Sequence, residues 1–327
     1  MGKRNSGFSA PGRLPTVDII IVNWNSRDAL SACLCSVDKT NRTAFSLASV
    51  IIVDNASEDG SVERVSSSHH QVRVIKNQSN RGFAAACNQG AKEVTGDYLL
   101  FLNPDVSLFD ESLESPLRFM ENRNNEHYGI CGIQLTDKNG HISRTCAAFP
   151  TCRSILIQSL GLNRLFPQWF NSYFMGTWPH QESRQVDHVI GAFFLVRRSL
   201  FDLLGGFDER FFVYLEDLDF SFRAHLLGFR SFYLADVQAY HEGGGCSEQI
   251  RGMRLFYSLR SRLLYVFKHL GICSSVVVFL STLVLEPLTR ICLGIFHRSE
   301  REILETLEAY ARLLCALPSF LRIGLSK

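Results

Sequence analysis

Four short apolar runs, each ending on polar residues, constrain this chain more than any other feature. Residues 17–22, 50–53, 72–75 and 99–102 carry few alternating polar positions, which is the composition of strands buried on both faces. Between them, residues 28–37 and 84–94 read as helices, the first capped by Asn25 or Ser26, and the loop 54–60 supplies a cap for a further helix. Strand and helix alternating in this way predict right-handed parallel βαβ units, so the expected fold is α/β with a mostly parallel central sheet flanked by helices. Ligands of such sheets gather at the carboxyl ends of the strands. The polar residues that end the runs, among them Asn23, Asp54 and the Asn103-Pro104-Asp105 triplet, therefore fall on one expected rim.

Past the fourth run the pattern loosens. A polar helix to Asn124 and a strand over 128–135 precede a Phe-, Trp- and Pro-rich stretch, 149–179, that reads as a loop or lid. Order returns with an apolar segment over 186–196, broken at Gly191-Ala192. A helix over 198–204 then stops at Gly205-Gly206, a second helix runs from Glu216 to Leu227, and a strand covers 230–234. The C-terminal quarter differs in kind. Residues 251–285 hold Arg251, Arg254, Arg260, Arg262 and Lys268 with no acidic residue, and the apolar run 272–285 ends at Glu286-Pro287. That run is shorter than the roughly 20 residues of a spanning helix. It fits either an interfacial or re-entrant segment with a basic flank, or a buried core helix packed on Ile303, Leu307, Tyr310 and Leu314.

The 327 residues, 46 % hydrophobic, can bury a sizeable core. The net charge of +2, from 34 basic and 32 acidic residues, gives no whole-chain argument for binding nucleic acid. Ten cysteines show neither metal-type spacing nor a disulfide framework, which fits a reducing compartment. The first fifteen residues read as a mobile tail without the apolar stretch of a secretory signal, and the match of Met1-Gly2 and Ser6 to a myristoylation pattern is taken as chance.

Several rim residues admit two readings. Asp105, aimed by Pro104, suits a hard divalent cation held against phosphate oxygens, or it is a plain turn. Asp54 can accept hydrogen bonds from a nucleobase or ribose, or cap the next helix. Asn80-Arg81-Gly82 can bring amides and a guanidinium to a diphosphate, or simply turn the chain. In the Glu216, Asp217 and Asp219 cluster, Arg223 is spaced to bridge Asp219 along a helix.

Taken in order, Val22-Asn23-Trp24-Asn25, 53–60, Asn80-Arg81-Gly82-Phe83-Ala84 with Asn88 and Gly90, Leu102-Asn103-Pro104-Asp105, 205–209 and 216–219 form a recognisable set. Over about residues 17–270 the chain resembles family 2 inverting glycosyltransferases of GT-A fold. Its wording is similar to bacterial rhamnosyltransferases of cell-surface polysaccharide, cell-wall and O-antigen assembly. The resemblance implies a nucleotide-diphosphate sugar donor, L-rhamnose carried as dTDP-rhamnose, a Mg²⁺ or Mn²⁺ ion, and a lipid-linked or polysaccharide acceptor. It assigns the donor to Asn23, Asn25, Asp54, Asn80, Arg81, Gly82, Asn103 and Asp105, and the metal to Asp105 and His241. The acceptor side falls to Gly191, Ala192, Asp208, Glu216 and Asp219. Asp217 takes the position of the general base, with Glu216 and Asp219 expected to raise its proton affinity. Asn103 stands where the family's metal motif has its first aspartate, which weakens coordination from that position.

The implied organisation is a tail over 1–15, a GT-A domain over 16–250 with nucleotide half 16–110 and acceptor half 111–250, and a helical, membrane-interfacial region over 251–327. The protein would sit peripherally on the cytoplasmic face of the inner membrane, with no nucleic-acid partner. Two other readings remain. A nucleotidyltransferase on a similar scaffold would carry a glycine-rich phosphate loop that Asn23-Trp24-Asn25-Ser26-Arg27 lacks. A non-catalytic sugar-nucleotide-binding membrane protein would have no need of Asp54, Asp105, Asp217 and His241 together.

Overall fold

The computed structural model describes residues 12–66, 72–170, 172–243 and 251–325. The Met1-Gly2 pattern and Gly244-Gly245 lie outside the described residues. Among the described residues there are eleven strands: β1 (Thr16–Asn23), β2 (Ser46–Asp54), β3 (Val72–Lys76), β4 (Tyr98–Leu102), β5 (Val106–Leu108), β6 (Tyr128–Thr136), β7 (Cys146–Ala147), β8 (Arg184–Val186), β9 (His188–Val189), β10 (Phe193–Arg197) and β11 (Arg230–His241). They build a nine-stranded sheet in the order β3-β2-β1-β4-β10-β6-β11-β5, with β8 beside β11, while β7 and β9 pair separately. The first four strands run parallel, as their buried composition predicts. β10 then enters antiparallel to β4, pairing Phe193 with Leu102.

Side chains of β1 and β4 alternate between two buried layers. Ile19, Ile21, Leu100 and Leu102 join Leu30, Leu34 and Val37 of the helix Ala29–Lys39 on one face. On the other face Phe101, Phe194, Phe201, Phe207 and Phe220 form one ring cluster, with centroids 4.9 to 5.9 Å apart between neighbours. The helix Phe83–Ala91 lies so close to the sheet there that a Cβ on Gly90 would stand 2.7 Å from Ile20 Cγ2. Glycine at this position sets the helix-to-sheet distance.

The local expectations need four corrections. Neither Asn25 nor Ser26 caps the first helix by its side chain. Asp28 is the N-cap, without a side-chain bond, and Asn25 and Arg27 take left-handed φ of 51° and 53°. The strand expected over 230–234 continues to His241. Within the stretch expected as a loop or lid lie the helices Cys152–Ser159, opened by a Thr151–Ser154 capping box, and Leu162–Leu165. The apolar run does not stop at Glu286-Pro287. A π turn, Ser281–Leu285, joins the helix Ile272–Leu280 to Glu286–Phe296, and Pro287 sits in the first turn after it, so the helix runs for 25 residues.

The chain divides into two compact units. One comprises Met1–Ala147, Pro179–Glu209 and Asp217–Cys246, and holds the sheet. The other comprises Ala148–Trp178, Arg210–Glu216 and Ser247–Lys327, and is helical. In the helical unit, Arg251–His269, Ile272–Phe296 and Glu300–Leu325 pack on one another. Of the residues expected to back a core helix, Ile303 packs against Gly294 and Tyr310 is buried, but Leu307 and Leu314 are exposed, and the 272–296 helix turns its apolar side outward.

Gly90→Ala should lower the stability of the sheet unit by about 1–3 kcal/mol, because Ile20 cannot yield without disturbing β1. A thermal or urea midpoint equal to that of the parent would show that the helix has room to move.

Candidate active site

The ends of β1 and β2 are tied by a polar clamp. Asn23 is buried, and its Nδ2 donates to Asp54 Oδ1 (2.8 Å), Ser61 Oγ (2.9 Å) and Ser57 Oγ (3.0 Å). Its Oδ1 accepts a short bond from Ser26 Oγ. Asp54 Oδ1 also accepts from Ser57 Oγ, at 2.6 Å, and Oδ2 accepts from Ser57 N at 3.2 Å. Asn25 joins the same loops, since Ser57 Oγ accepts from its amide and its Oδ1 accepts from Glu58 N. Asp59, not Asp54, receives the amide and hydroxyl of Ser61 at the next helix start. Most of Asp54's capacity thus goes to holding the loop, with Oδ2 the less engaged oxygen. Left-handed φ at Asn25, Arg27 and Ala56 costs about 1–3 kcal/mol each, and such strain persists where surrounding bonds enforce it.

Along the rim, Gly82 (φ 86°) opens the helix Phe83–Ala91. Its amide donates to Asn80 Oδ1 (2.9 Å) and its carbonyl accepts from Asn55, while Arg81 is exposed. Asn88 is structural: it holds both the amide and the carbonyl of Phe207.

The apolar run of β4 delivers Asn103 and Asp105 to the same edge. Asn103 acts here through its backbone, its amide donating to Ala192 O at 3.0 Å. Asp105 Oδ1 lies 3.3 Å from His241 Nε2, both side chains mostly buried, because β11 pairs His241 with Val106. Two ligands at right angles on bonds of about 2.1 Å stand about 3 Å apart, so this oxygen and nitrogen fit adjacent positions on one Mn²⁺ or Mg²⁺ ion. Among the described residues no third His, Cys, Asp or Glu joins them, so the remaining positions suit diphosphate oxygens and water.

Asp217 sits in the first turn of the helix Glu216–Leu226. Its Oδ2 accepts the Gly191 amide at 2.6 Å, Oδ1 accepts the Leu218 amide at 2.8 Å, and His188 Nε2 lies 3.3 Å from Oδ1. Burial pushes this carboxyl up, but the His188 imidazole and the two amides outweigh it and hold the group below its ordinary range. The expected rise in proton affinity from Glu216 and Asp219 is therefore reversed. Asp219 is fully buried and spent on Arg223 (2.8 Å), as the helical spacing predicted, and Arg223 also reaches the carbonyls of Leu204 and Gly206. Glu216 is buried at the helix start, and Asp208 is half-buried. Tyr214 and Leu215, with φ of 69° and 65°, place two strained residues immediately before this helix.

Gly191-Ala192 connects the two groups. Its amide meets Asp217 and its next carbonyl meets Asn103. His188 was not singled out from sequence, because a lone histidine in an apolar segment announces no partner; only the pairing of β9 with β7 and the position of Asp217 give it one. A concavity of about 790 Å³ between the helix Ala29–Lys39 and residues 107–111 shares no residue with this rim.

Comparison with known proteins decides the family, since the glycosyl transferase family 2 model matches residues 18–205, more than half of the chain. The chain belongs to glycosyl transferase family 2. It is 27 % identical over 206 residues to N-acetylglucosaminyl-diphospho-decaprenol L-rhamnosyltransferase of Mycobacterium tuberculosis, covering 59 % of this chain and 66 % of that one. It is 31 % identical over 147 residues to the rhamnosyltransferase WbbL of Escherichia coli, covering 44 % and 52 %. This glycosyltransferase thus spans less than two thirds of the length of those relatives. Mannosyltransferase PcManGT from Pyrobaculum calidifontis, solved with GDP-Man and Mn²⁺, shares the fold with a TM-score of 0.53 at 14 % identity, covering 99 % of this chain and 85 % of its own. The fold is GT-A.

Two outcomes test the site. Asp217→Asn should destabilise the sheet unit at about pH 6, and the deficit should shrink as pH falls through the depressed folded-state pKa, where the parent loses the same contribution. Urea midpoints over an acid series check this; a deficit independent of pH would rule out the ionised carboxylate as its source. Asp105→Asn and His241→Ala should each weaken Mn²⁺ binding with a nucleoside diphosphate by about tenfold or more, read by electron paramagnetic resonance.

Proposed function

We propose that this enzyme is an inverting rhamnosyltransferase that moves L-rhamnose from dTDP-rhamnose to a lipid-linked or polysaccharide acceptor. The observation that carries the reading is the joining of two chemically different groups through one dipeptide: the Asp105–His241 pair beside Asn103, and the ionised Asp217 beside Gly191. Similarity to two rhamnosyltransferases supports the sugar, and the lipid carrier named for the mycobacterial relative supports a lipid-linked acceptor.

In this reading Asp54 Oδ2 and the loops clamped by Asn23 and Asn25 receive the nucleobase and ribose. Asn80, Arg81 and the Gly82 amide line the diphosphate, with the exposed guanidinium free to swing onto it. Asp105 and His241 hold the divalent cation, which when bound offsets the charge of the departing nucleotide. Asp217 accepts the proton of the acceptor hydroxyl as that oxygen bonds to the anomeric carbon. The bond from that carbon to the phosphate oxygen breaks, its electron pair leaves on the nucleotide diphosphate, and a single displacement inverts the centre.

A low proton affinity suits this task, because it keeps the base ionised in nearly every molecule. The hydroxyl becomes strongly acidic only once its oxygen is bonding to carbon, so a weak base suffices late in the step. His188 positions Asp217 and sets its charge. Gly191, Ala192, Asp208, Glu216 and Asp219 shape the acceptor side, the last two from within the fold. The nine described cysteines are all free, which supports placing the reaction on the reducing, cytoplasmic side of a membrane.

Asp217→Asn should lower turnover by about 10²- to 10⁴-fold while leaving donor affinity near that of the parent. His188→Gln should move the acid limb of the kcat/KM profile to higher pH. Competition among dTDP-, UDP- and GDP-sugars for Mn²⁺-dependent binding identifies the donor. Unchanged turnover in Asp217→Asn would sink the base assignment, and preference for a UDP- or GDP-sugar would sink the rhamnose assignment.

A further inference from the structure

The helix Ile272–Phe296 is inside out. Its buried positions are Ser275, Val278, Ser281, Thr282, Glu286 and Gly294, five of the six polar or small. Its exposed positions are all aliphatic, aromatic or cysteine, and Ile272, Val276, Leu280, Val284 and Leu288 recur every fourth residue along the outer side. Ile272 is 66 % exposed and Phe296 82 %. A helix of a protein surrounded by water on that side shows the opposite arrangement.

The inward face is fixed by a buried polar network within the helical unit. Glu286 Oε2 accepts a short bond from Arg262 and one from Ser159 Oγ (3.2 Å), while Oε1 accepts from Arg290 (2.8 Å). Arg262 also donates to Thr282 Oγ1 at 3.0 Å, and Ser275 Oγ reaches the carbonyl of Val266 at 3.0 Å. Thr289 Oγ1 donates to Ser159 O at 2.8 Å. Rotating the helix to hide its apolar side would strip this carboxylate and guanidinium of partners, and breaking a buried ion pair in this way is strongly destabilising.

We propose that this helix is an in-plane membrane anchor, its outer face sunk in the acyl boundary of an anionic bilayer and its axis parallel to the surface. Two features favour lipid over a second copy of the chain. The outer face runs about 36 Å without an exposed charge. Arg298 lies exposed just after it, where a cationic side chain meets phosphate headgroups, whereas Lys268, just before it, is half-buried over the Phe211 ring.

Its neighbours exclude a crossing orientation, although length and composition alone would permit one. Glu286 and Arg290, near the middle of the helix, would fall near the bilayer centre. The helix Glu300–Leu325, packed against Glu286–Phe296, carries exposed Glu300, Arg301, Glu302, Glu308 and Arg312, which would be dragged into hydrocarbon. In the plane, the same charges stay in water.

The inference stands on the helix alone and supplies the proposed reaction with a place to meet a lipid-linked acceptor. The full chain should float with vesicles of phosphatidylethanolamine and phosphatidylglycerol in the absence of any substrate. The double variant Leu280→Glu/Leu288→Glu should lose partition by more than about tenfold, with an unchanged melting temperature and unchanged turnover of a water-soluble acceptor analogue. Spin labels at Ile272→Cys, Val284→Cys and Ile295→Cys, in a chain whose exposed cysteines are serine, should report one shared shallow depth. A parent that stays in solution, a double variant that floats equally well, a dimer dissolved by the double substitution, or a label at 284 far deeper than the other two would each overturn the proposal. Because flotation needs no sugar transfer, its failure is separable from failure of the rhamnosyltransferase reading.

Discussion

The antiparallel entry of β10 beside β4 is the pairing on which the rest of the candidate site depends. Parallel βαβ units alone would leave the Asn103-Pro104-Asp105 turn bordered by other turns of the same half of the sheet. With β10 reversed, the residues before it arrive at the carboxyl end of β4, so Ala192 receives the Asn103 amide and Gly191 offers its own amide to Asp217. Two chain regions far apart in sequence become one rim, the Asn103–Ala192 link through main-chain atoms alone and the Gly191 link through the Asp217 carboxylate.

Much of the sheet was legible because burial on both faces leaves a plain compositional mark. Ile19 to Ile21 and Leu99 to Leu102 have no polar alternation to confuse the period, and their strands stand where the pattern puts them. The antiparallel strands were harder. β11 extends through Asp236 and Gln238, whose exposed side chains read as the end of a strand when only apolar residues are counted. The helix start at Ala29 was obscured because Ser26, a good cap by type, is bound to Asn23.

The site was legible in kind more than in role. Asp54 and Asn23 stand on the rim as expected, but most of their hydrogen-bonding capacity holds the first two loops together. Sequence spacing names Asp217 and its acidic neighbours but carries no sign of what faces it. The sign depends on His188 arriving from a strand and on the amides of Gly191 and Leu218, which outweigh burial. At the C-terminal end, Pro287 looked like a stop because proline breaks helices, yet it sits in the first turn after a π turn, where its missing amide costs little.

Two of the three groups that hold Asp217 charged, the amides of Gly191 and Leu218, are main-chain atoms. Main-chain donors survive every substitution that leaves the backbone in place. The side chains around this carboxylate can therefore drift widely, trading one acceptor shape for another, while the negative charge at the centre stays where it is. A rim built in this way is tolerant ground for change in specificity: the electrostatics are stored in the chain's path, and the vocabulary of side chains is left open.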